Sequence, residues 1–498
     1  MRPRSLARFA LLPLVVASLP AQDLGGGALA SHGRVPRFVL DSWIPGTTAA
    51  LSFRDAPTSS PAGAAILSSG RTALSLPFLP GTLIADPMAG VVLPMGSSLV
   101  LGIPGVLHGA TLYFQGILID GAGALLTDAT QADFLRPLAV VGCQRQTANS
   151  LLVVDVAAGT VVDRIGNSEN GSIALSRDRR RMYVCEPGSQ RNHVVVYDVS
   201  VRPAVQIATI ANTGGVRYRG EFSPDELRLY VPVHDGVDII DTDPSSTTYH
   251  TVLAKIPTPI TGNATTIFTG PLDVAVTPDG RKLFIAFGEN AAYPGSGTLG
   301  IVDLTVGTYP YHSIPISLSG VVTLLGSLAT HDALRVSPDG LFVYVLEFGF
   351  TPGPFVNGFA NGSSLKVVDA VNEVEVAAIA TRGVGQSEIA LDLLGRNLWL
   401  AQTDLNGVGE VLRFDVDRRS ATRNTLATRI LIDPRPYSAG GGPSAAVPTA
   451  DGSRVLVTVV EDSAHPTPQL LTIDAASNTV VGAPLSVESL PRTVSVQR

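Results

Sequence analysis

GPLDVAVTPDGRKLFIAFGE, residues 270–289, holds two apolar, alternating runs joined by Thr-Pro-Asp-Gly. Pro presets φ at the first turn position and Asp-Gly supplies the tight reversal, so the stretch predicts a β-hairpin. The same order returns in THDALRVSPDGLFVYVLEFG (330–349). Weaker copies are GSIALSRDRRRMYVCE (171–186), GEFSPDELRLYVPV (220–233), SEIALDLLGRNLWLAQ (387–402) and SAAVPTADGSRVLVTVV (444–460). A repeat of this kind decides the architecture before any single element does.

A third strand ending in an apolar residue plus Asp follows each hairpin. These markers are Asp155, Asp198, Asp241, Asp303, Asp369, Asp415 and Asp474, spaced by 43 to 66 residues. A fourth β-rich stretch often follows, as in NEVEVAAIAT (372–381) and NTVVGAPLSV (478–487). Four short antiparallel strands at this spacing predict a β-propeller. Period-2 alternation excludes a helical array, and a parallel solenoid needs shorter periods. There are seven markers but six hairpins: Asp155 sits in LAVVGCQRQTANSLLVVDV (138–156), which has second and third strands and no first. The C-terminal LPRTVSVQR (490–498) supplies it. Aligning Pro271, Pro443 and Pro491 puts Thr277, Thr449 and Gln497 each six residues on, so the chain ends where a turn would begin. The expectation is an all-β, seven-bladed ring over 138–498, closed by its last strand, which leaves no open edges.

At this point VVGCQRQTANSLLVVDVAAGTVVDRIG (140–166) and GPLDVAVTPDG (270–280) resemble the YVTN-type propeller repeat of surface-layer and lactonase-like proteins. The resemblance covers about 138–498 and implies the propeller fold, with either a binding role or a lactonase-like activity. The sequence departs from the family where its second strands end in Asn: these positions are Cys143, Glu186, Val233, Phe287, Glu347, Gln402 and Val459.

Residues 1–22 carry Arg2, Arg4 and Arg8 ahead of a short apolar run and small residues around Ala21, the pattern of a secretory signal peptide. No later stretch reaches the ~18 uninterrupted apolar residues of a membrane helix. The expected location is secreted, periplasmic or on the cell surface. Residues 23–35 read as a flexible Gly-rich leader. Residues 36–136 read as a small antiparallel β-sandwich, with a hairpin around Asp120-Gly121. The formal charge of −7 becomes about −10 without the three leader arginines. An acidic chain lacking any Lys/Arg-rich run argues against nucleic acid and anionic membrane as partners. Two cysteines without CxxC, haem or zinc spacing form no disulfide scaffold or metal motif, and no nucleotide fingerprint is present. Cys143 and Cys185 fall at corresponding strand ends of the closing blade and the next. A bond clamping the closure is therefore a candidate, given Cα atoms within about 7 Å.

Chemistry is expected on one face of the ring, where loops lead into inner strands and join second to third strands. The long loops there are 347–364, 288–298 and 257–271, rich in Gly, Pro, Asn and aromatic residues. Polar residues where second strands end are Gln144, Glu186, His234, Asp235, Glu289, Glu347, Gln402, Asp404, Glu461 and Asp462. Of these Glu186, His234, Glu289, Glu347 and Glu461 are candidate ligands of a hard cation such as Ca²⁺, which takes several oxygens. Their bland alternative is a charged, solvated rim. At the entry to the inner strands lie Arg219, Asp273, His331, Asp332, Glu388 and Arg492. His331, Asp332, Glu388, Asp273 and Arg219 are candidates for acid–base work or ligand orientation at the channel mouth. Inter-blade salt bridges are the structural alternative. The expected function is an exported, non-enzymatic propeller binding a protein, glycan or cell-envelope partner through its loop-bearing face. The alternative is a lactonase-like or quinoprotein-like enzyme. Convergence of the channel residues in one pocket favours the enzyme, and their dispersal into salt bridges favours binding.

Overall fold

The computed structural model describes the backbone of the strands between residues 22 and 133, and most of 138–496 with side chains. Residues 1–21 and several loop segments, among them 144–149, 187–192, 259–269, 289–297, 318–327 and 351–363, lie outside the description. The chain divides into two compact units, 1–136 and 137–497.

In the first unit the strands Gly90–Met95, Ala62–Ser68, Thr111–Asp120, Gly123–Asp133, Arg37–Trp43, Ala49–Arg54 and Ser98–Leu101 join in that order. A short strand, Gln22–Gly25, which spans the boundary between the stretches read as signal peptide and leader, pairs with Gly123–Asp133. Arg71–Leu76 pairs separately with Leu79–Ala85. Asp120 stands opposite Gly123, so the chain reverses at the Asp-Gly step the sequence marks.

The second unit is a seven-bladed β-propeller. Blades 1 to 6 occupy residues 172–211, 221–257, 270–315, 328–380, 383–433 and 442–486. Blade 7 joins Leu138–Cys143, Ser150–Asp155 and Thr160–Gly166 to the C-terminal strand Pro491–Val496. Val141 pairs with Val494 and Ala139 with Val496, so the inner strand of this blade comes from the far end of the chain.

Seven apolar layers fill the seven spaces between blades. The layer between blades 6 and 7 gathers Ala139, Val141, Cys143, Ala445, Val447, Leu456, Val494 and Val496. The next, between blades 7 and 1, gathers Val140, Leu151, Val153, Met182, Val184 and Val195. The remaining five interfaces repeat this arrangement. Successive side chains of a strand therefore feed different layers, because a blade is covered on both faces. Third strands such as Gly236–Asp241 are buried at every residue for that reason. Outer strands are not: in Thr160–Gly166 and Val205–Ala211 only Ile165 and Ile210 are buried.

This parity corrects the disulfide expectation. Cys143 and Cys185 are both buried thiols, unbridged. Cys143 packs in the 6/7 layer, whereas Cys185 packs with Tyr183, Val194 and Val231 between blades 1 and 2. Counted from the paired aspartates, Cys143 matches Glu186 and lies one residue out of step with Cys185, so Cys143 faces blade 6 while Cys185 faces blade 2, in opposite directions around the ring. Burial pushes the Cys185 thiol up to about 12.

The turn chemistry is local and repeated. Thr277 Oγ1 donates to Asp279 Oδ1 at 2.6 Å, and Gly280 N–H closes the turn on Thr277 O at 2.8 Å. Gly395 combines φ +62° with a place where a Cβ would meet Pro338 Cδ at 2.6 Å, so only Gly fits there. The strand-ending aspartates also shape turns: Asp303 accepts from Thr305 Oγ1 (2.6 Å) and N–H (2.8 Å), bonds that hold its carboxyl below the ordinary range.

Candidate functional site

Four inner strands bring charge to the axis of the ring. Arg219 leads into Glu221–Phe222 of blade 2, and Asp273 lies in Gly270–Val276 of blade 3. Arg335 lies in Leu328–Val336 of blade 4, and Glu388 leads into Ile389–Leu391 of blade 5. Counting back from each turn, four residues before Ser176, Ser223, Thr277, Ser337, Asp392, Thr449 and Gln497 stand Ser172, Arg219, Asp273, Ala333, Glu388, Ala445 and Thr493. These seven positions form one column around the axis. Two residues nearer the turn the column reads Ala174, Glu221, Ala275, Arg335, Ala390, Val447 and Ser495. All five charges fall in blades 2 to 5.

These side chains converge. Arg219 Nη1 donates to Glu388 Oε1 at 2.6 Å, and Arg335 Nη2 donates to the same oxygen at 2.8 Å. Arg335 Nη1 reaches Asp273 Oδ2 at 3.1 Å. Asp273 also accepts from the Leu334 N–H (2.9 Å) and from its neighbour Val274 N–H (3.0 Å). Glu221 lies 3.5 Å from Arg219. Asp273, Arg335 and Glu388 are buried, and Arg219 is the partly exposed member. Asp273 and Glu388 thus face guanidiniums of other blades, forming an inter-blade ion network, while Glu221 faces Arg219 of its own blade.

Electrostatics follow from burial. Loss of water pushes the Asp273 carboxyl up to about 6, although Arg335, Arg219 and the Leu334 N–H pull it back. Burial works against the charge of Arg219, yet Glu221, Glu388 and Asp273 outweigh it and raise its pKa. A carboxyl raised in the folded state favours the protonated form there. Its contribution to stability is therefore full below about pH 4 and is lost as pH rises through about 6. Wild-type stability measured against Asp273→Asn is expected to fall by on the order of 2–3 kcal/mol between pH 4 and 7. Urea unfolding of both proteins across that range checks this, and a constant difference would contradict it.

Of the sequence candidates, the structure brings Arg219, Asp273 and Glu388 together, and it adds Arg335, which the sequence reading did not name. Inner strands carry a bulge just before the charged column: Leu272, Asp332, Ser444 and Arg492 are each skipped in the pairing with their second strands. Counted from the turns, the counterparts of Asp273 are Ala333 and Thr493, whereas Asp332 and Arg492 hold the skipped position of Leu272. The side chains of His331, Asp332 and Arg492 lie outside the described residues. The available signal for Arg335 was a charge in the column that is small or apolar in most blades.

Among the described residues, the candidate cation ligands do not assemble. Glu347 is fully buried and bonded by Ser364 Oγ (2.8 Å) and Lys366 Nζ (3.2 Å), an ion pair between neighbouring strands of blade 4. Glu461 Oε2 accepts the Leu490 N–H at 2.8 Å, anchoring the approach to the closing strand. His234 is half-buried, and its N–H donates to Gly215 O. The Glu186 side chain, Gln144 and Glu289 lie outside the described residues. Gln402 is buried against Glu410 at 2.6 Å, Asp235 pairs with Lys255, and Asp404 caps its own loop through Asn406 and Val408. Among the described residues no three His, Cys, Asp or Glu side chains group to hold a metal ion. The long loops 257–271, 288–298 and 347–364 fall mostly outside the described residues.

No protein-family model matches the chain, and no curated protein matches it. Solved structures do match in fold. A protein from Bacteroides fragilis, provisionally assigned as a 6-phosphogluconolactonase, superposes with a TM-score of 0.51 at 14% identity, over 72% of this chain and 98% of that one. A protein of unknown function from Desulfotomaculum acetoxidans does so with a TM-score of 0.50 at 12% identity, over the same shares. At such identities the likeness is one of fold alone.

Proposed function

We propose that this chain is an exported propeller of the YVTN type that binds a protein, glycan or cell-envelope partner through its loop-bearing face, without turning over a substrate. The N-terminal unit, read as a β-sandwich, serves on this reading as an attachment module. The carrying observation is the mutual pairing of Arg219, Asp273, Arg335 and Glu388 across four blades. Asp273 accepts a hydrogen bond on each oxygen and Glu388 Oε1 is held by two guanidiniums, so these charges are engaged with one another.

A second reading has one observation in its favour. Asp273, raised to about 6 beside two arginines, has the pKa of a group that exchanges protons near neutrality. On that reading the channel hosts a lactonase-like or quinoprotein-like reaction. The two separate in one experiment: full-length protein is assayed against a panel of sugar lactones, and its binding to glycan arrays and isolated envelope fractions is measured. The binding reading expects hydrolysis at the buffer rate together with saturable binding. Hydrolysis above that rate, abolished in Glu388→Gln while the fold persists, would establish the enzyme instead.

A further inference from the structure

A cavity of about 550 Å³ opens between blades 2 and 3, on the face that carries the turns. Its walls are the turn before Arg228–Val233, the connection after Gly236–Asp241, and the turn residues Asp279 and Gly280 of blade 3. Leu227, Leu253 and Leu304 give it an apolar side, and the first two are 43% and 45% exposed. Asp243 and Asp279 give it an acidic one. Arg228, which also lines it, is hydrogen-bonded to the Tyr230 hydroxyl. Asp279 meets Arg281 only at 3.9 Å. Asp243 Oδ1 accepts from the Ser245 N–H and Oγ, and among the described residues no cation pairs with its carboxylate.

The molecule holds a second copy of this acidic wall. DVDRRSAT (415–422) of blade 5 repeats DTDPSSTT (241–248) of blade 2. In each loop the second aspartate's N–H donates to the first aspartate, at 3.0 Å in blade 2 and 3.1 Å in blade 5. In each, the closing threonine hydroxyl also donates to the first aspartate at 2.6 Å. Both loops end in a left-handed residue, His250 at φ +62° and Asn424 at φ +59°. Asp243 and Asp417 are therefore equivalent. Asp417 has a guanidinium from its own blade, because Arg396 Nε stands 3.6 Å from Asp417 Oδ2. Arg396 directly precedes Asn397, the strand partner of Asp415, and Leu227 directly precedes Arg228, the strand partner of Asp241. Blade 2 thus keeps the carboxylate and has an exposed leucine where blade 5 has its arginine. We propose that the cavity takes an alkylguanidinium or alkylammonium group, its charge against Asp243 and Asp279 and its stem along Leu227, Leu253 and Leu304. Among the described residues these carboxylates do not group to hold a metal ion, so the complement is a cation with several directional N–H donors. The site lies on the opposite face from the long loops and stands independently of what they bind.

The test is isothermal titration of the full-length chain with butylguanidinium, with butylurea as an uncharged probe of the same shape. Saturable binding of butylguanidinium below about 20 mM, and none of butylurea, is expected. Asp243→Asn should weaken binding about tenfold, the size of one charge-assisted contact. Leu227→Arg builds the blade 5 pair into blade 2 and should abolish binding. Both positions are at least partly exposed, so both variants should melt within a few degrees of wild type. A capped alanine–arginine–alanine tripeptide separates the sources of the cation. Tighter binding of the tripeptide than of butylguanidinium assigns the site to a basic segment of a protein partner, and equal or weaker binding assigns it to a small free cation. No saturable binding of butylguanidinium, equal binding of butylurea, or an affinity that both variants leave unchanged would overturn the proposal.

Discussion

Deletion of residues 490–498 is expected to destabilise the entire propeller, not merely blade 7. The lost strand pairs with Leu138–Cys143 and places Val494 and Val496 in the layer shared by blades 6 and 7. Removing these two buried valines alone forfeits roughly 3–6 kcal/mol of apolar burial. The ladder bonds to Leu138–Cys143 go with them, leaving its inner edge open. The segment just ahead adds its own ties: Glu488 accepts from Ser150 Oγ and pairs with Arg164, and Glu461 holds the Leu490 N–H. Thermal melting and limited proteolysis of the truncated chain should show one early transition with cleavage distributed over several blades. A melting point within a few degrees of the full chain would mean that the last strand is an appendage.

The second large effect is expected at Arg335. Arg335, 5% exposed, carries the guanidinium between Asp273 and Glu388. Arg335→Ala leaves both carboxylates buried with only Arg219 nearby, a change that costs about 3–5 kcal/mol where one partner of a buried pair is removed. Arg335→Met keeps most of the stem and loses the charge, so a similar loss in this variant assigns the effect to electrostatics and not to packing. The loss should shrink between pH 7 and pH 5, because protonating Asp273 removes one of the two uncompensated charges. Urea unfolding at the two pH values measures it. A loss below about 1 kcal/mol at pH 7 would show that water already screens the network.

The parts of this molecule that were legible in its sequence are the local ones. Thr277-Pro278-Asp279-Gly280 and Ser337-Pro338-Asp339-Gly340 state their turn chemistry within four residues, and the seven strand-ending aspartates cap turns built from their immediate neighbours. Ring closure is non-local, yet it was legible because counting repeats exposes a missing strand. Side-chain direction was less accessible. Arg335 stands two residues before Ser337, as Glu221 stands two before Ser223, so turn spacing marks its column, but only the fold shows that its guanidinium reaches Asp273 and Glu388 of neighbouring blades. Cys143 and Cys185 lie at the ends of equivalent strands, which suggested a pair, but they are one residue out of step, and alternation along the strand turns them toward opposite sides of their blades. Glu347 looked like a rim carboxylate, and Lys366, nineteen residues on, neutralises it in the interior.

The central claim is that the axial charges hold the blades to one another. A double-mutant cycle in unfolding free energy, with Arg335→Met, Glu388→Gln and the two combined, tests it most directly. The account predicts a coupling of about 1.5–3 kcal/mol, because each single change strands its buried partner and the double change strands less. A coupling below about 0.5 kcal/mol, with Glu388→Gln as stable as wild type and a lactone hydrolysis that this variant abolishes, would contradict it and assign the network to catalysis.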